Sequence, residues 1–268
     1  MYAHTVVLLI GWVAAYVAGG EWDDRGKKIW EQKYPEEFDD ASEGDIVKSV
    51  GGATGRKNGL RAEVMRWPDG VVKYHMEGPY TLEQCKIIES AFDQYEEKTC
   101  IRFQVKNPKD NDYVSIKNNV GCHAELGRIG GEQTLNIGEG PCIKRGTVMH
   151  ELMHVLGFMH EQKRYDRDSF IRIMYENLKE GKQDNFERQP ADVITTFGVQ
   201  YDYDSITHYS PLAFSKNGEP TVMLTRKNTT VSMGQRDHLS LGDIEKINRM
   251  YNCTRQLIVN KPIYPRFC

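Results

Sequence analysis

The run HELMHVLGFMH at residues 150–160 constrains this chain more than any other stretch. An α-helix advances about 100° per residue, so His150 and His154 lie about 40° apart on one face and can reach one ion. Glu151 stands beside the first histidine, where a carboxylate can face a water on that ion. His-Glu-x-x-His alone is only suggestive, and Gly157 sharpens it. Glycine takes left-handed backbone without a steric cost, so it can end the helix and turn the chain. His160 then returns to the same ion from outside the helix. Three neutral imidazoles leave coordination open, as catalytic zinc requires; structural zinc is usually closed by four protein ligands. Met149, Leu152, Met153 and Leu156 lie on the other face and can anchor the helix in a core.

Composition narrows the alternatives. The chain has 268 residues, 39% of them hydrophobic, enough for one sizeable domain or two small ones. A net charge of −3, with no basic stripe and no Gly-rich phosphate loop, argues against nucleic-acid, nucleotide and anionic-membrane partners. Residues 6–17 form an apolar run too short to span a bilayer, followed by small residues and then charge. That layout predicts a signal peptide cut after Gly19 or Gly20, although the first residues carry no Lys or Arg. Secretion follows as the expectation. Six cysteines without a Cys-x-x-Cys pair suggest disulfides rather than a cysteine-based zinc site. Asn228 and Asn252 head two glycosylation sequons.

Along the chain, residues 21–57 are polar and charged and end in GGATGRKNG, the texture of a mobile segment with an exposed protease site. From residue 59 the pattern becomes structured. VVKYHM, IRFQVK, DYVSIKN and QTLNIG read as strands. TLEQCKIIESAFDQYEEKTC reads as a helix with a Thr81–Gln84 capping box and a Cys85, Ile88, Phe92, Tyr95 face. Beyond Phe158 polar loops dominate, until SLGDIEKINRMY predicts a helix with Ser240 as N-cap and Leu241, Ile244, Ile247 and Tyr251 facing a core. The residues alone give an α/β N-terminal half and a loop-rich C-terminal half meeting at the histidine segment.

The extended run HELMHVLGFMHEQKRYDRD, together with GRIGGEQTLNIGEG before Cys142 and YDYDSITHYS after it, closely resembles the astacin family of zinc endopeptidases, within the metzincins. The resemblance implies an α+β, metzincin-like fold. It would have an N-terminal subdomain with a twisted mixed sheet and two long helices, and a loop-rich C-terminal subdomain with one helix. The active-site cleft would lie between them. It implies a signal peptide over 1–19, a propeptide over 20–57, a catalytic domain over 58–255 and a short tail over 256–268. One Zn2+ per subunit would be held by His150, His154 and His160. Glu151 would serve as general base on the attacking water, and Tyr209 would hydrogen-bond the oxyanion. Glu161 would be a buried carboxylate that meets the new N-terminus after activation. Bridges Cys100–Cys253 and Cys122–Cys142 are implied. Cys85 is either a buried thiol or bonded to Cys268, and the bond is the expectation for an exported protein.

SEGDI at residues 42–46 resembles the family's F-x-G-D inhibitory motif, so Asp45 would ligate the metal in the zymogen. Ser42 stands where the family has phenylalanine. A trypsin-like protease would then cut after Lys57, leaving Asn58 first, or after Arg61, leaving Ala62. Expected partners are protein or peptide substrates and that activator, with no nucleic acid or membrane, and the expected state is a monomer. Two departures stand out. His123 replaces an aromatic expected beside the cleft, which bears on substrate preference. Thr207 replaces the methionine beneath the zinc ligands, predicting a small void or an unsatisfied hydroxyl and a less stable site. An inactive zinc-loaded binding protein on the same scaffold is the competing reading. It conflicts with the presence of all three ligands, the base and Tyr209.

Overall fold

The computed structural model describes Lys27 and residues 31–38, 44–47, 63–226, 231–260 and 262–266. The expected signal peptide, Ser42, both cleavage positions, Asn228 and Cys268 lie outside the described residues.

The fold grows from a strand and helix that the sequence patterns well. Strand β2 (Val71–Glu77) buries Val72 and Tyr74 on alternate positions, the period-two signature of a sheet face. Helix α1 (Leu82–Lys98) starts at Thr81, whose hydroxyl accepts from Gln84 N while the Gln84 side chain accepts from Thr81 N. This closes the expected capping box. Its Cys85, Ile88, Phe92 and Tyr95 face is buried. Phe92 stacks on Phe103 of strand β3 (Arg102–Val105) with ring centroids 4.1 Å apart. Arg102, on the opposite face of β3, is buried too: its guanidinium donates to four backbone carbonyls, Glu96, Thr99, Ile101 and Ile258. Both faces of β3 are therefore covered, where alternation predicted one.

Strands β4 (Tyr113–Lys117), β5 (Cys122–Glu125) and β6 (Glu132–Ile137) complete a mixed sheet with β1 (Ile46–Val47). Its order is β1-β5-β6-β4-β2-β3, parallel throughout except for the antiparallel β5–β6 pair. Sequence patterning misses β5, because its inward residues are only Cys122 and Ala124 and carry little apolar signal. Helix α2 (Arg145–Val155) crosses beneath the sheet, buried from Gly146 onward, and packs against α1 and β5. These elements bear out the twisted-sheet and two-helix subdomain.

The second half is built from short 3-10 turns around its own core of Ile171, Leu178, Phe186, Tyr201, Tyr209, Phe214 and Val222. It is less loop-like than its composition suggests. Strands β7 (Ile171–Ile173) and β8 (Val222–Leu224) form an antiparallel pair, and their wide sequence separation leaves no hairpin signal. Helix α3 (Leu241–Met250) carries the Ser240 capping box, but Leu241 is a correction: at the first helical position it is 86% exposed, while Ile247 and Met250 face the core. A short helix α4 (Arg255–Asn260), unseen in the sequence, follows.

Cys100–Cys253 ties the start of β3 to the end of α3, and Cys122–Cys142 staples β5 to the turn before α2. Both pairings match expectation. Cys85 is also disulfide-bonded. Asn252 is exposed just past α3 in left-handed backbone, φ 52°, a conformation asparagine tolerates.

Candidate metal centre

Helix α2 is fixed at both ends before it presents any ligand. At its start, a Cβ on Gly146 would come within 1.7 Å of Arg236 O, so only glycine lets the 236 backbone lie against the first turn. At its end the orphan carbonyls are capped from three directions. Gly127 N donates to His154 O at 2.8 Å, Trp67 Nε1 to Val155 O at 2.9 Å and Tyr251 Oη to Leu156 O at 2.9 Å. These supports were not read from the sequence.

Gly157 adopts φ 99° and breaks the helix, as its place in the run predicts. The turn carries His160 back beside His154, with ring centroids 4.6 Å apart, and beside His150 at 5.3 Å. His150, His154, His160 and Asp45 are buried, and a ligand atom from each falls within 4.8 Å of every other. His150 Nδ1 lies 2.7 Å from Ile206 O, and His154 Nδ1 lies 2.7 Å from Phe158 O. A neutral imidazole has one N–H, and these carbonyls take it. Both Nε2 atoms then offer lone pairs inward, 3.1 Å from one another.

That arrangement is incoherent without a cation. Asp45 Oδ2 sits 2.7 Å from His150 Nε2, and Oδ1 sits 2.9 Å from His160 Nε2. Asp45 Oδ1 and His160 Nε2 nevertheless lack hydrogen-bond geometry to any partner among the described residues. Acceptors converge with too few protons between them. Zinc–nitrogen bonds of about 2.0–2.1 Å place ligand atoms about 3.3 Å apart on a tetrahedron, close to the spacings seen here. Burial lowers the His150 and His160 pKa values to about 4, against the raising effect of Asp45. Burial opposes charge on Asp45, yet His160 and His150 draw its pKa well below the usual carboxylate range. Neutral imidazoles and an ionised carboxylate form the donor set a dication needs. The residues fit zinc.

Glu151 is fully buried on α2 beside His150. The Tyr209 ring packs 4.4 Å from the His160 ring, and its hydroxyl has no hydrogen-bond partner among the described residues. A Cβ on Gly44, which has φ 70°, would stand 2.7 Å from that hydroxyl. Glycine before Asp45 lets the backbone take this left-handed turn and pass close to Tyr209. Glu161 is buried as expected, but Lys246 Nζ at 2.8 Å, Arg164 Nη1 at 2.9 Å and Asp202 N at 2.9 Å already satisfy it. His123 lies on β5, opposite Asn136 of β6.

Thr207 corrects an expectation. Its hydroxyl is buried but partnered, 3.0 Å from Ser205 Oγ, which donates to Asp243 Oδ1 at 2.7 Å. Asp243 in turn faces Lys246, the partner of Glu161. A polar strut thus stands where a thioether was expected. Thr207→Met breaks this strut and crowds the site, so we expect a loss of about 1–3 kcal/mol. Thermal unfolding checks it, and a raised Tm would revive the void reading.

Fold and site together define a domain with a buried three-histidine, one-carboxylate centre suited to zinc. A family model described as Astacin, a peptidase family, matches residues 59–252. Zinc metalloproteinase nas-13 of Caenorhabditis elegans is 42% identical over 198 residues, covering 74% of this chain and 43% of that protein. Zinc metalloproteinase nas-14 of the same organism is 44% identical over 189 residues, covering 70% and 37%. This chain therefore spans less than half the length of either nematode relative. Among solved structures, high choriolytic enzyme 1, a hatching enzyme zinc-protease from Oryzias latipes, matches with TM-score 0.66 and 38% identity. That match covers 70% of this chain and 94% of the other. The chain belongs to the astacin family.

Proposed function

We propose that this protein is a secreted zinc endopeptidase made as a zymogen, held silent by Asp45 and activated by a trypsin-like cut near residues 57–61. The observation that carries this reading is the placement of a pro-segment carboxylate among three histidines of the catalytic domain. The apolar run at residues 6–17 and the disulfides support export. Among the described residues no helix is long and apolar enough to cross a membrane.

His150, His154 and His160 would hold the zinc, and the Ile206 and Phe158 carbonyls fix two of the rings with Nε2 turned inward. When bound there, zinc would supply Lewis acidity and make a water acidic enough to attack at neutral pH. Glu151 takes the proton of the attacking water and hands it to the leaving amine. Tyr209, free to donate its hydroxyl, stabilises the oxyanion. The edge of β5 that β1 occupies, with Ala124 N donating to Asp45 O at 2.8 Å, suits pairing with an extended peptide once the pro-segment leaves. Substrates are accordingly proteins or unfolded peptides.

The test is hydrolysis of a generic protein substrate after trypsin treatment of the full chain. We expect activity that a chelator abolishes and stoichiometric zinc restores. Activity indifferent to chelation, or none after complete processing, rejects the reading.

A further inference from the structure

The pro-segment touches the catalytic domain at a second place, distinct from the histidines. The 3-10 turn Pro35–Phe38 lies against the chain around Ser210 and Arg236, and it buries Glu36 and Glu37 completely. Arg236 Nε donates to Glu36 Oε1 at 2.6 Å, and Arg236 Nη2 lies 3.6 Å from Glu37 Oε1. Ser210 N donates to Glu37 Oε1 at 2.6 Å, and the Ser210 hydroxyl donates to Glu37 Oε2. The guanidinium is held from the far side by His208 O and Gln235 O. Tyr34, 3% exposed, covers it with its ring 5.6 Å away. Lys144, just before α2, donates to Gln32 O.

These are the parts of a built anion site. A backbone amide, a hydroxyl and a guanidinium converge, and the guanidinium is oriented by the catalytic domain's own carbonyls. Burial works against the Arg236 charge, and Glu36 and Glu37 outweigh it. Burial also pushes the Glu37 carboxyl up to about 8, with Glu36 adding to the rise and Arg236 opposing it. Two acidic side chains therefore meet here, Glu36 on the guanidinium and Glu37 on the Ser210 amide and hydroxyl, so the site binds a segment rather than a lone side chain. The location matters: Ser210 follows Tyr209, and Arg236 O lies against Gly146 at the start of the ligand helix.

We propose that Arg236, with the amide and hydroxyl of Ser210, is a carboxylate-docking site that clamps the chain's own acidic segment, Tyr34-Pro35-Glu36-Glu37, independently of Asp45. The proposal rests on the zymogen reading above. Silencing then has two contacts close together along the chain, at Glu37 and at Asp45, and each holds the other at high local concentration.

The experiment uses the intact full chain, wild type and E36Q/E37Q, with a trypsin-activated sample as reference. Glu→Gln keeps the size, removes the Glu36 charge that faces the buried Arg236 guanidinium, and takes a carboxyl oxygen away from the Ser210 donors. In E36Q/E37Q we expect hydrogen exchange of the backbone around Ser210 to quicken about tenfold or more, while exchange across β2, β4 and β6 stays unchanged. The second arm adds a synthetic peptide of residues 31–47 to activated enzyme. We expect inhibition that weakens about tenfold when Glu36 and Glu37 become glutamine. Equal inhibition by both peptides, no inhibition by either, or unchanged exchange around Ser210 overturns the docking site. A trypsin-treated chain with no activity on any substrate is the separate failure of the endopeptidase reading.

Discussion

Asp45→Ala in the full chain is expected to produce an enzyme that cleaves peptide substrate without prior processing. The carboxylate lies fully buried between His150 and His160, at 2.7 and 2.9 Å. Among the described residues it is the one carboxylate grouped with the three histidines. Removing one partner of a buried charged contact typically costs about 3–5 kcal/mol. The ratio of open to closed segment should therefore rise by about two to four orders of magnitude. The methyl side chain of alanine fits the space and offers no ligand atom. The measurement is the initial rate on a quenched peptide before and after trypsin, with intact mass confirming that the chain is uncut. Wild type should gain strongly on processing, and Asp45→Ala should gain little. An uncut Asp45→Ala chain as silent as wild type would remove Asp45 from inhibition. Latency that persists only until Glu36 and Glu37 are also changed would assign the remainder to the Arg236 contact.

The parts of this molecule that were legible in its sequence share a physical cause. The α2 run was readable because metal ligation imposes residue types at fixed helical offsets, and because Gly157 marks the turn that no other residue takes cheaply. Helix α1 declared itself through its Thr81–Gln84 cap and one apolar face. The two described disulfide pairings came from resemblance, not from spacing, since connectivity cannot be read from cysteine positions alone. What stayed hidden depends on chain segments distant in sequence. Strand β5 has two small inward side chains, and its identity as a strand comes from pairing with β6. Strands β7 and β8 have only three residues each and are joined by a long connection. The contacts of Trp67, Tyr251 and Gly127 with the end of α2 bring together residues far apart along the chain. Glu36 and Glu37 looked like part of a solvated acidic tail, and only the fold reveals the guanidinium that buries them. Thr207 was misjudged for the same reason. A lone threonine in place of methionine reads as a defect until Ser205 and Asp243 are seen beside it.

Glu151→Gln is expected to remove nearly all turnover from the activated enzyme while leaving its structure and metal in place. Glu151 is fully buried on a helix whose every residue from Gly146 to Val155 is buried. A larger change there would confound chemistry with packing, and glutamine keeps the volume. Contacts to Ile206 O, to Phe158 O and between the rings orient the imidazoles. Zinc content should therefore stay near one per chain, with Tm close to wild type. A positioned general base contributes about 10²–10⁴-fold. If, as proposed, the same group also returns the proton to the leaving amine, the upper part of that range is expected in kcat, with KM little changed. A Glu151→Gln enzyme with full zinc and kcat within about tenfold of wild type would transfer the proton work to another residue. Loss of zinc together with activity would instead make Glu151 a support of the metal site.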